Sequence, residues 1–121
     1  MEDLRRKPRI QPLVIRARVQ HEGASRSGYL VNLSEGGAFL ASGEPLAVGE
    51  VVELSVTLPW ALGRLEARAK VVWRTQDFAA RDQQQPEGFG LAFVDLSDEA
   101  RGKIRLYAQR FFQLAAQLER I

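Results

Sequence analysis

From Leu13 onward the chain alternates. Leu13, Ile15, Ala17 and Val19 fall on one face of an extended segment, and Val14, Arg16, Arg18 and Gln20 on the other. That period of two is the signature of a strand half buried in a sheet. His21 to Ser27, with Gly23 and small polar residues, predicts a turn. A second strand is expected over about Gly28 to Leu33 and a third up to about Ala41, with Asn32-Leu33-Ser34-Glu35-Gly36-Gly37 between them. These two predict a hairpin. Ser42 to Glu50 reads as a loop. Val52, Leu54, Val56 and Leu58 then alternate with Glu53, Ser55 and Thr57. Pro59 to Gly63 breaks that strand and leaves Trp60 in a loop, where it would mark a partner surface. The longest strand is expected over about Arg64 to Arg74. Leu65, Ala67, Ala69, Val71 and Trp73 share one face, which places Trp73 in the core. Thr75 to Glu87 is polar, and Gly88 to Val94 predicts a last strand with Leu91 and Phe93 inward.

At Asp95 the period changes. Ser97 is suited to cap a helix, and Asp98 and Glu99 follow in the first turn, where the helix dipole favours negative charge. Ile104, Tyr107, Ala108, Phe111, Leu114, Ala115 and Leu118 then form an apolar stripe at helical spacing, extending to about Glu119. Five or six short strands with tight turns predict an antiparallel sheet closed into a small barrel, since closure removes exposed edges. The stripe must lie on that barrel or on a partner, and its surplus of aromatics (Tyr107, Phe111, Phe112) leaves a contact between two copies open. Residues 1–12 carry Pro8 and Pro12 and suit neither a helix nor a central strand, so an extended arm is expected. The organisation is therefore one domain: an arm over 1–12, a barrel over 13–96 and a helix over 97–121.

Composition narrows the chemistry. The chain has 121 residues, 45% apolar, enough for one domain with one core. No apolar run approaches the roughly 18 residues of a membrane span, and the charged start shows no signal peptide, so a cytoplasmic protein without membrane insertion is expected. Without cysteine there are no disulfides, thiol nucleophiles or thiolate metal sites. His21 is alone and reads as a surface residue; no nucleophile–base pair can be assembled. No enzyme, metal or cofactor is expected. A formal charge of +2 is too small for bulk nucleic-acid binding. The charge is uneven, however: Arg5, Arg6, Lys7 and Arg9 cluster in the arm, which points to one anionic partner.

Two short motifs carry that reading further. Arg5 and Arg9 form R-x-x-x-R just before the first strand. Asn32, Ser34 and Gly37 form [DN]-x-S-x-x-G between the second and third strands. Alone, the second is a turn between strands, a ligand-binding ledge, or both. Together, and with Val71-Val72-Trp73-Arg74 and the G-x-G-[hydrophobic]-x-F run Gly88 to Phe93, they resemble a PilZ domain, the bacterial receptor domain for cyclic di-GMP. The resemblance implies a six-stranded antiparallel split barrel with a C-terminal helix. It implies that Arg5 and Arg9 contact guanine and phosphate, and that Asn32, Ser34 and Gly37 form the other wall. Leu4, just before the first arginine, would bear on whether one nucleotide or a stacked pair binds; Arg6 and Gly36 would support the site.

Arginine suits that task. It is always charged, and its planar fork pairs with phosphate oxygens or with the O6/N7 edge of guanine. Ordering an arm over a ligand costs entropy, so binding should couple to a conformational change read by a partner. The expected function is a cyclic di-GMP receptor controlling motility, attachment or exopolysaccharide. The alternative is a PilZ-like interaction module without nucleotide. A DNA- or RNA-binding barrel ranks last, because it would need an aromatic, basic sheet face and the outward faces here are mixed in charge.

Overall fold

Ile15, Ala17 and Val19 are buried and the residues between them exposed, as the alternation requires. The computed structural model describes residues 14–43, 46–75 and 87–119. Within these lie β1 (Ile15–His21), β2 (Ala24–Val31), β3 (Gly37–Ala41), β4 (Val51–Leu58), β5 (Gly63–Arg74), β6 (Gly88–Val94) and α1 (Asp98–Glu119). Every paired strand is antiparallel, and the order β1–β2–β3–β6–β5–β4 returns to β1 as a closed barrel. The six-stranded barrel with one C-terminal helix expected from the sequence is the fold. Its inside is filled by Leu30, Leu40, Val52, Val71 and their neighbours, with Leu33 and Leu46 reaching in from the connections.

Three local expectations change. The first turn is two residues, not seven. Glu22 (φ 52°) and Gly23 (φ 81°) both take left-handed backbone, and His21 pairs directly with Ala24. Successive positive φ values are what a tight two-residue hairpin needs to match strand twist. Ala24 to Arg26 read as turn because this end of the hairpin has little apolar surface to bury. His21 thus ends a strand, where its Nε2 lies 3.2 Å from Glu50 Oε2.

Trp73 is the second. The register between β5 and β6 passes from Val71↔Leu91 to Trp73↔Gly90, leaving Val72 as an extra residue. Such a bulge flips the alternation of everything beyond it. Trp73 therefore lies outside the barrel, 39% exposed, tilted against Phe39 at a centroid distance of 5.5 Å. It covers Gly90: a Cβ there would strike the indole nitrogen. Gly88 and Gly90 are consequences of strand packing, as their sequence setting indicated.

Trp60 is the third. It is half-buried, packed on the core and stacked on Tyr107 at 5.5 Å, so it seals the seam between barrel and helix in place of marking an open surface. The helix is capped as expected: Ser97 Oγ accepts the Ala100 N–H at 3.0 Å. Its first half buries Ala100, Ile104 and Tyr107, and Lys103 Nζ donates to the Arg64 carbonyl at 2.6 Å. The stripe then leaves the barrel, with Phe112 69% and Leu114 39% exposed. Among the described residues, no helix is long and apolar enough to cross a membrane.

Candidate functional site

The connection from β2 to β3 is built by backbone that only some residues accept. Asn32 sits at φ 56°, and asparagine is among the few non-glycine residues that visit that region readily. This reversal ends β2 and turns Leu33 into the core while leaving the Asn32 and Ser34 side chains in solvent. The loop closes on itself: the Ser34 N–H donates to the Gly37 carbonyl at 2.9 Å, and Ser34 Oγ donates to the same oxygen at 3.3 Å. It is pinned to β6 by the Phe93 N–H donating to the Gly36 carbonyl at 3.0 Å. The exposed amide of Asn32 and the remaining lone pairs of Ser34 are the polar groups this corner offers a ligand.

The two glycines differ. At Gly37, paired with Ala92, a Cβ would collide with the Leu91 carbonyl oxygen, so strand packing alone demands glycine. At Gly36 nothing lies within 4 Å of where a Cβ would be, so its backbone is open to approach.

Glu35, just before them, was given no role by sequence reasoning. Its carboxylate meets Arg105 of α1 fork to fork: Arg105 Nε donates to Oε2 at 3.0 Å and Nη2 to Oε1 at 3.1 Å. Arg101 Nη1 stands 3.9 Å from Oε1, and Arg101 Nη2 donates to the Leu96 carbonyl at 3.3 Å. The hydrogen bond from Arg105 is the main reason that the Glu35 carboxyl is held below its ordinary range; the same bond raises Arg105. No sequence pattern links positions 35 and 105; only the fold brings them together.

Beyond this pair lies a groove of about 230 Å³ with Asn32, Leu33 and Ser34 on one wall and Tyr107, Ala108, Phe111 and Phe112 on the other. Its helix side is a run of rings, Tyr107 to Phe111 at 6.4 Å and Phe111 to Phe112 at 6.1 Å. Burial pushes the Tyr107 hydroxyl pKa up.

The structure brings Asn32, Ser34, Gly36 and Gly37 into one exposed corner. Leu4, Arg5, Arg6 and Arg9 lie outside the described residues. Their point of attachment is fixed, however. Ile15 pairs with Leu30, so the chain enters β1 directly beside the end of β2 that carries the corner. The six residues from Arg9 to Ile15 can span at most about 20 Å.

Some other charged groups are paired locally. Glu66 pairs with Arg64 at 3.1 Å, and Asp95 lies 3.8 Å from Arg68. His21, Glu22 and Glu50 place donor atoms within 4.8 Å of one another. Glu50 is already engaged there, its Oε1 accepting the Ala47 N–H at 2.6 Å and its Oε2 facing His21.

Comparison with known proteins agrees with this architecture. No curated protein matches the chain. Among solved structures it is similar to the Bacillus subtilis inhibitor of motility MotI/DgrA, at 20% identity and a TM-score of 0.65, over 93% of this chain and 57% of that one. This chain thus spans a little over half the length of that relative. The Borreliella burgdorferi PlzA protein, solved in complex with c-di-GMP, aligns at 17% identity and a TM-score of 0.49 over 86% of this chain and 35% of its own. The family model described as the PilZ domain matches residues 3–110. That match takes in both short motifs, every strand of the barrel and the anchored half of the helix, and the chain belongs to the PilZ domain family.

Proposed function

We propose that this chain is a cyclic di-GMP receptor, acting in the cytoplasm without enzymatic activity, in which Arg5 and Arg9 hold the nucleotide against Asn32, Ser34 and Gly37. One observation carries the reading. The register Ile15↔Leu30 attaches an arm bearing R-x-x-x-R next to a corner whose amide, hydroxyl and open backbone face solvent. Arginine forks supply phosphate and guanine-edge contacts, and the corner supplies acceptors for base N–H groups. Gly36 admits the ligand closely, since no side chain stands above it. Leu4 and Arg6 flank the first arginine as supporting residues. Family membership adds to this, because the matched family is one of receptor modules.

The output is a conformational change passed to a protein partner. The similarity to a motility inhibitor favours motility among the outputs considered, ahead of attachment or exopolysaccharide control. Calorimetry tests the receptor reading. Cyclic di-GMP should bind saturably, GMP should compete poorly, and Arg5→Ala with Arg9→Ala should abolish the heat while circular dichroism stays unchanged. Absence of heat from the intact chain at high ligand concentration would rule the reading out.

A second reading has a specific observation behind it. Phe112, Leu106 and Leu114 are exposed on α1, which suits an interaction module that needs no nucleotide, or a homodimer through the helix. Light scattering after size exclusion distinguishes these: a concentration-dependent mass that falls to one chain in Phe112→Ser supports the homodimer.

A further inference from the structure

We propose that Arg105, with Arg101 beside it, is a positioning residue for the nucleotide corner, acting through Glu35, so that occupancy of the corner and the seating of α1 are linked. This rests on the receptor reading above and adds the element through which that receptor is read.

Among the described residues, the corner's backbone is pinned to the barrel on its β6 side. Its described anchors are the Ser34–Gly37 closure and the bond from the Phe93 N–H to the Gly36 carbonyl. On the other side it faces the groove against α1. Glu35 crosses there from the middle of the ligand-binding run, and its two oxygens take two nitrogens of one guanidinium at 3.0 and 3.1 Å. A fork meeting a fork fixes orientation as well as distance, which a lysine in that position would not. Arg105 directly follows Ile104, the fully buried helix anchor. The link therefore joins the corner to the helix where the helix is held, not to its free half.

Charge adds a second consequence. Glu35 is the only acid in the corner run Asn32–Gly37, where a ligand with two anionic phosphodiesters would be received. Arg105 and Arg101 offset that charge; without them an unpaired carboxylate would repel the phosphates. Binding and helix position are then linked reciprocally: whatever loosens the helix weakens the ligand, and the ligand changes the helix by the same factor.

The test is a cycle of four proteins: the intact chain, Arg105→Ala, Glu35→Gln and both changes together, with Arg105→Lys as the conservative variant. Arg105 is 59% and Glu35 39% exposed, so these variants are expected to keep the fold, with circular dichroism as the check. Cyclic di-GMP affinity should fall by roughly threefold or more in Arg105→Ala, on the scale of an exposed charge pair plus the freed repulsion. Adding Glu35→Gln should recover only the part due to repulsion, Glu35→Gln alone should also weaken binding because the link is lost, and Arg105→Lys should lie between. Hydrogen exchange without ligand should quicken at the Ser34 and Phe93 amides in Arg105→Ala, and ligand added to the intact chain should alter protection around Ile104. Unchanged affinity and exchange in Arg105→Ala would overturn the proposal while the intact chain still bound nucleotide. If the intact chain bound none, the receptor reading itself would fall, and this one with it.

Discussion

Gly36 and Gly37 are neighbours under different constraints. Gly37 faces the Leu91 carbonyl of β6, whereas Gly36 has open space above it. Gly37→Ala should therefore lower stability by about 1–3 kcal/mol, the usual cost of forcing an atom into packed structure, and urea unfolding would register it. Gly36→Ala should leave the unfolding midpoint unchanged and weaken nucleotide binding. Glu35 gives a pH dependence. Its carboxyl is held below the ordinary glutamate range in the folded chain, chiefly by the Arg105 hydrogen bond, so the link contributes fully above the unfolded value and is lost as pH falls through the lower folded one. The difference in unfolding midpoint between the intact chain and Glu35→Gln should be constant near neutrality and shrink only as pH falls through the acidic range in which glutamates protonate. The glycine–glycine pair could be seen in the sequence. Which of the two was structural could not, because that depends on Leu91, in a strand far along the chain. The Glu35–Arg105 contact was hidden for the same reason.

At the scale of elements, strands were legible wherever one face was buried and the other wet. β1 and β4 follow their alternation residue for residue. The reading failed where that condition fails. β2 starts earlier than its apolar residues do, because its first residues form a hairpin end with little to bury. Trp73 left the core because one inserted residue reverses every face after it, and nothing in Val-Val-Trp-Arg marks the insertion. Trp60 was misplaced because its ring partner Tyr107 belongs to another element. Two substitutions test the elements themselves. Ile104→Ala should cost about 2–5 kcal/mol as a cavity under the helix, with circular dichroism showing which helical signal melts first. Glu22→Asn should stabilise the β1–β2 turn by up to about 1 kcal/mol, since asparagine accepts φ 52° more readily than glutamate.

For the whole molecule, the closed barrel sets the stage: β1 starts beside the end of β2, so the chain enters the barrel next to the corner. The fold was legible from periodicity plus two short motifs, and the family match over residues 3–110 agrees with it. The arrangement of α1 was half legible. The apolar stripe is real, but only its first half lies on the barrel, and length alone does not say where a helix leaves its support. The most direct measurement of the account is calorimetric titration of cyclic di-GMP into the intact chain and into Asn32→Ala/Ser34→Ala, which removes the solvent-facing corner groups while leaving Gly37 in place. The account predicts one saturable transition in the first and its loss, or at least roughly tenfold weakening, in the second. Equal binding by both, or none by the intact chain, would contradict it.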